Sequence, residues 1–333
     1  MCAAADNAPP PPPSDPPSVA ELGEFGLIAR ITAGRVLPPG TLLGPGDDAA
    51  VLAAADARVV VTTDVLVEGV HFRLDWSTPY QVGRKAMAAN LADVAAMGAV
   101  PTALVVGLAV PGRTPVSTVD ALASGMWEET GRVGAGIIGG DVVSSAEIVI
   151  SVTALGDLRG RAPVTRGGAR AGDVLAVCGR LGWSAAGLAM LRQGLRSPPA
   201  VVGAHQVPQP PYAAGPQAAA AGATAMIDIS DGLLADAGHL AEASGVAIDI
   251  DSAAVPVAAE LVEVATALGV DARRWVLTGG EDHGLLACFP AATALPAGWT
   301  QLGLVCEGRG VTVDGRPYRG RAGWAHFGSR GDR

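Results

Sequence analysis

Hydrophobic and polar positions follow two patterns along the chain, one typical of amphipathic helices and one typical of buried strands. Apolar residues at helical spacing predict helices over residues 21–35, 80–97, 116–133 and 184–192, and another after Asp231. Apolar and β-branched runs predict strands over residues 58–64, 102–110, 137–141, 148–155, 174–178, 246–250, 275–278, 285–289 and 301–305, and one that starts at Met226. Both halves of the chain mix strands and helices without strict alternation, which predicts two domains of the α+β or α/β class.

Changes in composition divide the chain into segments. A length of 333 residues is enough for two domains of ordinary size. Residues 1–20 are rich in Pro and Ala, lack the features of a secretory signal and are predicted to form a disordered tail. The composition shifts to Gly and Arg around residues 156–172, so we expect the domains to span 21–160 and 161–333. Residues 194–216 are rich in Pro and Gly and predict a long loop.

Composition and charge narrow the classes of function. No run of about 18 apolar residues is present, which argues against a membrane span. The net charge of −9 and the pI near 5.0 argue against a protein that binds nucleic acid through a basic surface. The four cysteines are scattered without metal-type spacing, so a reducing, cytoplasmic location is expected. Lys85 is the only lysine, and its rarity alone assigns it no role.

A glycine-rich turn, GPGDDAA at residues 44–50, holds the adjacent carboxylates of Asp47 and Asp48. Neighbouring acids repel one another unless a cation lies between them, and Mg²⁺ is a hard ion that commonly links carboxylates to phosphates. Asp64, Asp141 and Asp228 each end a hydrophobic run, where an unpaired charge is costly. Taken singly, each aspartate is better explained as a turn or helix-capping residue. Together they favour a Mg²⁺-dependent phosphoryl-transfer enzyme.

Other phosphate-binding and hydrolytic motifs do not fit the sequence. A Walker A loop is absent, because the only lysine lies in Gly83-Arg84-Lys85-Ala86. Gly44-x-Gly46-x-x-Ala49 formally matches a dinucleotide fingerprint, but it follows no clear strand and its acids would face the pyrophosphate. Residues 182–187 are similar to a nucleophile elbow with the second glycine one place late, so a helix start explains them better.

A set of motifs in a fixed order carries a resemblance to a known family. The motifs are Gly23-Glu24-Phe25, GPGDDAA at 44–50, TTDVLVEGVHF at 62–72, KAMAANLADVAAMGA at 85–99, IIGGD at 137–141, TRGGARAGD at 165–173, IDISDGL at 227–233, GGED at 279–282 and GWAHF at 323–327. They run over nearly the whole chain after the tail. The sequence therefore resembles the thiamine-monophosphate kinases, whose superfamily includes aminoimidazole ribonucleotide synthetase and selenophosphate synthetase.

The resemblance implies a homodimer that binds ATP, several Mg²⁺ ions and thiamine monophosphate, with no nucleic-acid or membrane partner. An N-terminal domain of sheet and helices would form the dimer interface and bind ATP and Mg²⁺, and a C-terminal α/β domain would complete the substrate site. The γ-phosphoryl group of ATP would pass to thiamine monophosphate. The implied metal ligands are Asp48, Thr62, Thr63, Asp64, Asp93, Asp141, Asp228 and Asp231. The implied ATP contacts are Gly140, Asp141, Arg166 and Ser230, and the implied thiamine contacts are His71, Glu281 and Trp324.

No general base is expected, because the acceptor phosphate is already mostly dianionic near neutral pH. The chain departs from the family after Glu281-Asp282, where His283-Gly284 stands in place of the usual Tyr-Glu. We expect this departure to affect the acceptor pocket and to leave the metal ligands untouched. Two alternatives stay open. One is another ATP-using enzyme of the superfamily, such as aminoimidazole ribonucleotide synthetase, and the other is a non-catalytic nucleotide-binding regulator.

Overall fold

The computed structural model describes residues 18–44 and 50–324. Asp47 and Asp48 of the glycine-rich turn lie outside the described residues, and so do residues 1–17 of the predicted tail. Within the described ranges, no helix combines the length and the hydropathy that crossing a membrane requires.

The first described segment forms two short helices and a pair of short strands. The helix predicted over 21–35 is interrupted at Gly23, whose φ of 73° lies in the region that glycine adopts readily. The result is α1 (Val19–Leu22), which begins inside the predicted tail, and α2 (Glu24–Thr32). Strands β1 (Thr41–Leu43) and β2 (Val51–Leu52) pair in antiparallel fashion on either side of the glycine-rich turn.

A four-stranded sheet and two long helices follow. In chain order they are β3 (Val60–Val67), α3 (Pro79–Ala96), β4 (Val100–Val110), α4 (Val116–Gly131), β5 (Gly136–Ser144) and β6 (Val149–Asp157). The strand order is β3-β6-β4-β5. Strands β4 and β5 are parallel and joined by α4, the crossover that a parallel pair requires, and the other pairs are antiparallel.

The two faces of this sheet have different surroundings. Successive residues of β3 point to opposite faces, so Leu66 is buried beneath α3 and α4 while Val61 and Val65 lie on the outer face. Val61 and Val65 are 59% and 47% exposed, and Val143 of β5 is 51% exposed on the same outer face. The residues that the structure describes therefore leave an apolar outer face uncovered.

Helix α3 packs on both domains. Thr78 and Gln81 cap its N-terminus through reciprocal hydrogen bonds, and Gly98 follows its end with a φ of 72°. Leu91 belongs to the core of the N-terminal domain, whereas Ala95 belongs to a core cluster of the C-terminal domain. Burial on several sides explains why most of the helix is apolar, so its polar residues need specific partners.

A seven-stranded sheet forms the centre of the C-terminal domain. Its strands are β7 (Asp173–Cys178), β8 (Ala225–Asp228), β9 (Ala247–Ile250), β10 (Leu285–Pro290), β11 (Trp299–Cys306), β12 (Gly310–Val313) and β13 (Arg316–Pro317), in the order β13-β12-β9-β11-β7-β10-β8. Its helices are α5 (Trp183–Arg192), α6 (Pro199–Gln206), α7 (Ala214–Ala220), α8 (Leu233–Ser244), α9 (Ala259–Leu268) and α10 (Ala272–Thr278). Helix α7 and the end of α3 share one core cluster with the sheet, and the other five helices share a second.

The strand predicted over residues 275–278 is wrong, because these residues form the end of α10. The Asp271 carboxylate accepts the N–H of Arg273 and caps this helix at its start. The helical turn buries Val276 and Leu277 in the core. Tertiary packing thus overrides a local run that favours a strand.

The long loop predicted over residues 194–216 is also wrong, because it contains α6 and the start of α7. Pro199 occupies the first turn of α6, where the missing N–H costs nothing. Val201 and Val202 of α6 are buried in the core of the domain. Proline therefore marks the beginning of a helix here and not its absence.

Candidate active site

Strand β3 and helix α3 place polar side chains against each other. Thr62 and Asp64 lie on the inner face of β3, which α3 covers. The Thr62 hydroxyl donates to a carboxylate oxygen of Asp93 at 2.8 Å, and the Asp64 N–H donates to Oδ1 of Asn90 at 3.0 Å. Asn90 and Asp93 are three residues apart on α3 and therefore share the face that meets β3.

Asp228 brings a carboxylate from the C-terminal domain to the same place. It is buried at the end of β8. Burial, together with the neighbouring charges of Asp228 and Asp64, raises the pKa of Asp93 to about 7. Helix α3, which carries Asp93, packs against β3, which carries Asp64, and against β8, which ends at Asp228, so the three residues form one group, which we call the acidic cluster.

The acidic cluster has the chemistry of a divalent-cation site. Carboxylate oxygens and the hydroxyl of Thr62 are hard ligands, the type that Mg²⁺ prefers. The raised pKa of Asp93 reflects burial and repulsion between acids, and a bound cation would reverse that effect. The residues present therefore fit Mg²⁺.

A second group of ligand atoms lies at the start of α8. One ligand atom from each of Asp231, Asp236 and His239 lies within 4.8 Å of the others. Asp236 accepts the N–H groups of Asp231 and Gly232 at 3.1 and 2.9 Å, and so fixes the turn that enters α8. Burial and the charges of Asp228 and Asp231 raise the pKa of Asp236 to about 7 despite these hydrogen bonds. Asp231 follows Asp228 by three residues, so this group lies beside the acidic cluster.

The loop after α10 runs alongside the segment that joins β8 to α8. The N–H of Glu281 donates to the carbonyl of Ser230 at 2.8 Å, and the N–H of His283 donates to the carbonyl of Ile229 at 3.0 Å. Glu281 and His283 have φ values of 65° and 52°, which residues other than glycine rarely adopt. The backbone pairing thus brings the GGED and IDISDGL motifs together.

His283 corrects one expectation from the sequence. Its Nδ1 lies 3.0 Å from Oδ2 of Asp228, so the departure from Tyr-Glu does not leave the acidic cluster untouched. Burial opposes protonation of His283, but the hydrogen bond to Asp228 and the charges of Asp228 and Asp93 raise its pKa. The acidic cluster therefore favours the protonated form of this histidine.

Two of the implied thiamine contacts, His71 and Glu281, meet at Lys85. The Lys85 ammonium lies 2.9 Å from Oε1 of Glu281 and donates to the backbone carbonyl of His71 at 3.1 Å. Nδ1 of His71 accepts the N–H of Val67 at 3.0 Å, so the neutral ring carries its proton on Nε2. Oε2 of Glu281 lies 3.5 Å from Nδ1 of His205.

Trp324 lies close to the second group of ligand atoms. The backbone N–H of Trp324 donates to the backbone carbonyl of Asp231 at 3.0 Å. Its side chain is exposed, and the guanidinium of Arg321 lies 5.8 Å from the ring centroid. An aromatic ring therefore stands at the edge of the site, on the side of α8.

Gly140 and Asp141 lie away from the acidic cluster in the single chain. Both belong to β5, and strands β6 and β4 separate β5 from β3, which corresponds to about 14 Å. Asp141 is exposed and aligned across the sheet with Val65, which places it on the outer face. One chain alone does not bring Asp141 to Asp64.

Thr63 and Arg166 are separated from the acidic cluster as well. Thr63 lies on the outer face of β3, and its hydroxyl donates to the carbonyl of Val152 at 2.9 Å. Arg166 is exposed, and its carbonyl accepts the hydroxyl of Ser244 at the end of α8 farthest from Ser230.

Four residues of the site were not assigned from the sequence. They are Lys85, His205, Asp236 and His283. A lysine within an apolar helix is a signal for Lys85, because a buried ammonium needs a partner. No comparable signal exists for His205, since the segment that carries it was predicted to be a loop.

Comparison with known proteins places these features in a family. Residues 46–158 match the model of the AIR synthase related protein N-terminal domain, and residues 170–311 match that of the C-terminal domain. A thiamine-monophosphate kinase of Mycobacterium tuberculosis is 56% identical over 317 residues, which cover 95% of each chain. The thiamine-monophosphate kinase structure from Stenotrophomonas maltophilia K279a has a TM-score of 0.77 at 34% identity and covers 87% of this chain and 96% of its own. The structure of AaThiL complexed with AMPPCP and TMP has a TM-score of 0.78 at 36% identity and covers 92% of this chain and 98% of its own.

Proposed function

The chain belongs to the thiamine-monophosphate kinase family, and on that premise we propose that it transfers the γ-phosphoryl group of ATP to thiamine monophosphate, which yields thiamine diphosphate. The observation that carries the proposal is the acidic cluster, in which the packing of α3 on β3 and β8 brings together carboxylates of both domains. A protein that only binds a nucleotide needs fewer such charges. The enzyme is therefore a phosphotransferase with a phosphate group as acceptor.

Charge repulsion is the main obstacle to this reaction. The acceptor is itself a phosphate, mostly dianionic near neutral pH, so no residue has to remove a proton from it. Two unit charges about 4 Å apart repel by about 4 kcal/mol at an effective dielectric constant near 20, and several such pairs meet when two phosphates approach. A site for this reaction has to balance negative charge.

Mg²⁺ is the cation that we propose for this balance. The proposed ligands within one chain are Thr62, Asp64, Asp93, Asp228 and Asp231, with Asp48 as a further ligand outside the described residues. When bound, Mg²⁺ neutralises the phosphates and stabilises charge on the transferring group. The chain holds the donor oxygens in place, because Thr62 fixes the carboxylate of Asp93, Asn90 fixes the backbone of Asp64, and His283 orients Asp228.

The two substrates would meet at the acidic cluster. Ser230, Arg166, Gly140 and Asp141 are the proposed ATP contacts. On the acceptor side, the exposed ring of Trp324 suits the cationic thiazolium, and the Glu281 carboxylate supplies an opposite charge. Nε2–H of His71 is a donor for the same substrate. The cytoplasmic location is proposed from the scattered cysteines alone.

Two copies would complete the site. The exposed valines of the outer sheet face form the kind of apolar patch that marks a contact surface. Asp141 lies on that face, on the strand at the opposite edge from β3. In a symmetric pair that packs through the outer faces, β5 of one copy can meet β3 of the other, so the partner's Asp141 and the partner's Gly140 would lie next to Thr63, on the edge strand that carries Asp64 on its other face. We therefore propose a homodimer with ATP bound near the interface.

The direct test is incubation of the purified chain with ATP, Mg²⁺ and thiamine monophosphate, followed by ³¹P NMR. Thiamine diphosphate and ADP should accumulate in equal amounts. Thiamine, which lacks the phosphate, serves as the control acceptor and should give neither product. Tight ATP binding without turnover would instead indicate a regulator. ADP formation without thiamine diphosphate would indicate another ATP-using enzyme of the superfamily.

A further inference from the structure

Lys85 is a buried cation that connects the two domains. It lies on α3 with 4% of its surface exposed, and its ammonium contacts a carboxylate of the C-terminal domain and a carbonyl of the N-terminal domain. Burying an ammonium is costly unless it is paired and hydrogen-bonded. The contacts to Glu281 and His71 meet that requirement at fixed geometry.

Glu281 depends on Lys85 for its charge balance. Burial opposes ionisation of Glu281, but the charge of Lys85, and then that of His205, lower its pKa to about 2. Burial and the charge of Lys85 lower the pKa of His205 itself to about 4, so this ring is neutral near pH 7. The ammonium of Lys85 is thus the cation in contact with the ionised Glu281 carboxylate at that pH.

The backbone of Glu281 shows that its position is held against strain. A φ of 65° is unfavourable for a residue with a side chain and persists only where the surroundings enforce it. The bond from its N–H to Ser230 fixes the main chain, and the contact with Lys85 fixes the carboxylate. Such strain is typical of residues whose placement serves function.

We propose that Lys85 is a positioning residue for the acceptor: it holds Glu281 of one domain and His71 of the other at a fixed separation before thiamine monophosphate binds. The inference rests on the proposed function, because Glu281 and His71 are the proposed thiamine contacts. A pocket assembled in advance binds its ligand without the cost of ordering these groups. Lys85 therefore governs affinity for the acceptor and not affinity for ATP.

A double-mutant cycle tests this role. Lys85→Met, Glu281→Gln and the double variant are compared by calorimetric titration with thiamine monophosphate and by steady-state kinetics. Lys85→Met should raise the acceptor Kd and KM roughly ten- to a hundredfold, as expected for loss of a charged hydrogen bond, and leave the KM for ATP within about threefold. Because Lys85 acts on the acceptor partly through Glu281, Lys85→Met should weaken acceptor binding by a smaller factor in the Glu281→Gln background than in the unaltered chain.

A matched ion pair on the same helix provides the control. Arg84 precedes Lys85 on α3 and pairs with the buried Glu129 at 2.6 Å, in contact with none of the proposed substrate residues. Arg84→Met and Glu129→Gln should lower the unfolding midpoint without changing the acceptor Kd. If Lys85→Met alone fails to fold, the double variant, which leaves no unpaired buried charge, is compared with Glu281→Gln.

The outcomes separate the inference from the proposed function. An unaltered chain that does not bind thiamine monophosphate would overturn both. If the unaltered chain binds thiamine monophosphate and Lys85→Met leaves the Kd unchanged, the role of Lys85 alone is overturned. The same holds if Lys85→Met raises the Kd by the same factor with and without Glu281→Gln. An equal rise in the KM for ATP would also overturn it, because it would indicate general damage to the fold.

Discussion

Asp93 combines a structural cost with a proposed role as a metal ligand. Burial, and then repulsion by Asp228 and Asp64, raise the pKa of its carboxylate to about 7. That Asn90 and Asp93 share a helix face could be predicted from the sequence, because residues three apart on a helix do so by geometry. The sequence could not indicate His283 as a neighbour of Asp228, since that contact depends on backbone pairing between segments far apart in the chain.

Replacement of Asp93 distinguishes its effect on the free energy of unfolding from its effect on turnover. In metal-free buffer at pH 8, Asp93→Asn should raise the free energy of unfolding by about 1 kcal/mol or more, because it removes a repelled charge. The same change should lower turnover on the order of 10³-fold. Urea unfolding and the thiamine diphosphate assay measure the two effects. Asp75→Asn, which removes an exposed pair with Arg73, should change neither. A variant that is less stable and still active would contradict this account of Asp93.

His205 gives a pH dependence with a definite sign. Its folded pKa of about 4 lies below the ordinary value of 6.5, so the unfolded chain takes up the proton first as the pH falls. Its contribution to stability is therefore present above pH 6.5 and lost between pH 6.5 and 4. Going from pH 7 to pH 5, the unaltered chain should lose about 2 kcal/mol more stability than His205→Asn.

Denaturant unfolding at several pH values measures this difference. If His205→Asn follows the pH dependence of the unaltered chain, the neutral burial of His205 is wrong.

Among the secondary-structure elements, helix α3 contributes most to the candidate site, since it carries Lys85, Asn90 and Asp93. The helix and its cap at Gly98 were predictable, because spacing and capping are local signals. The helices within residues 194–216 and at 275–278 were not, because their local sequence favours loop and strand and packing decides between them.

The contact between α3 and α4 gives a stability prediction. A Cβ on Gly83 would overlap the carbonyl oxygen of Leu122, and one on Gly125 would overlap that of Tyr80. Gly83→Ala should therefore destabilise the chain by about 3 kcal/mol, because backbone cannot yield as a side chain can. Thermal unfolding measures the effect.

Gly238 is the matched control for this substitution. It lies within α8 with open space at its Cβ position, so Gly238→Ala should stabilise the chain by about 0.5–1 kcal/mol. A neutral or stabilising Gly83→Ala would rule out the close approach of α3 and α4.

At the scale of the whole molecule, the strand order of the N-terminal sheet explains why one chain does not bring all the implied site residues together. The order β3-β6-β4-β5 places Asp64 and Asp141 at opposite edges of the sheet and on opposite faces. Sequence motifs identify both residues equally well, because a motif contains no information about which copy supplies it. In the proposed homodimer, the partner's Asp141 lies at the β3 edge that carries Asp64.

Mixing of inactive variants tests this arrangement. Asp64→Asn and Asp141→Asn should each be nearly inactive, but random mixed dimers contain one intact site in every heterodimer, so the mixture should recover about a quarter of the activity of the unaltered protein. A mixture of Asp64→Asn and Asp93→Asn should recover no activity. Both residues come from the same chain, so every site then lacks one of the two carboxylates. Equal activity of the two mixtures would mean that the partner does not contribute Asp141.

A crystal structure with Mn²⁺, a non-hydrolysable ATP analogue and thiamine monophosphate tests the central claim most directly, because anomalous scattering locates the metal independently of the model. We expect Mn²⁺ within about 2.2 Å of carboxylate oxygens of Asp64, Asp93 and Asp228, between the two bound phosphates. Bound substrates with the metal elsewhere, and with these three carboxylates turned away from both phosphates, would contradict it.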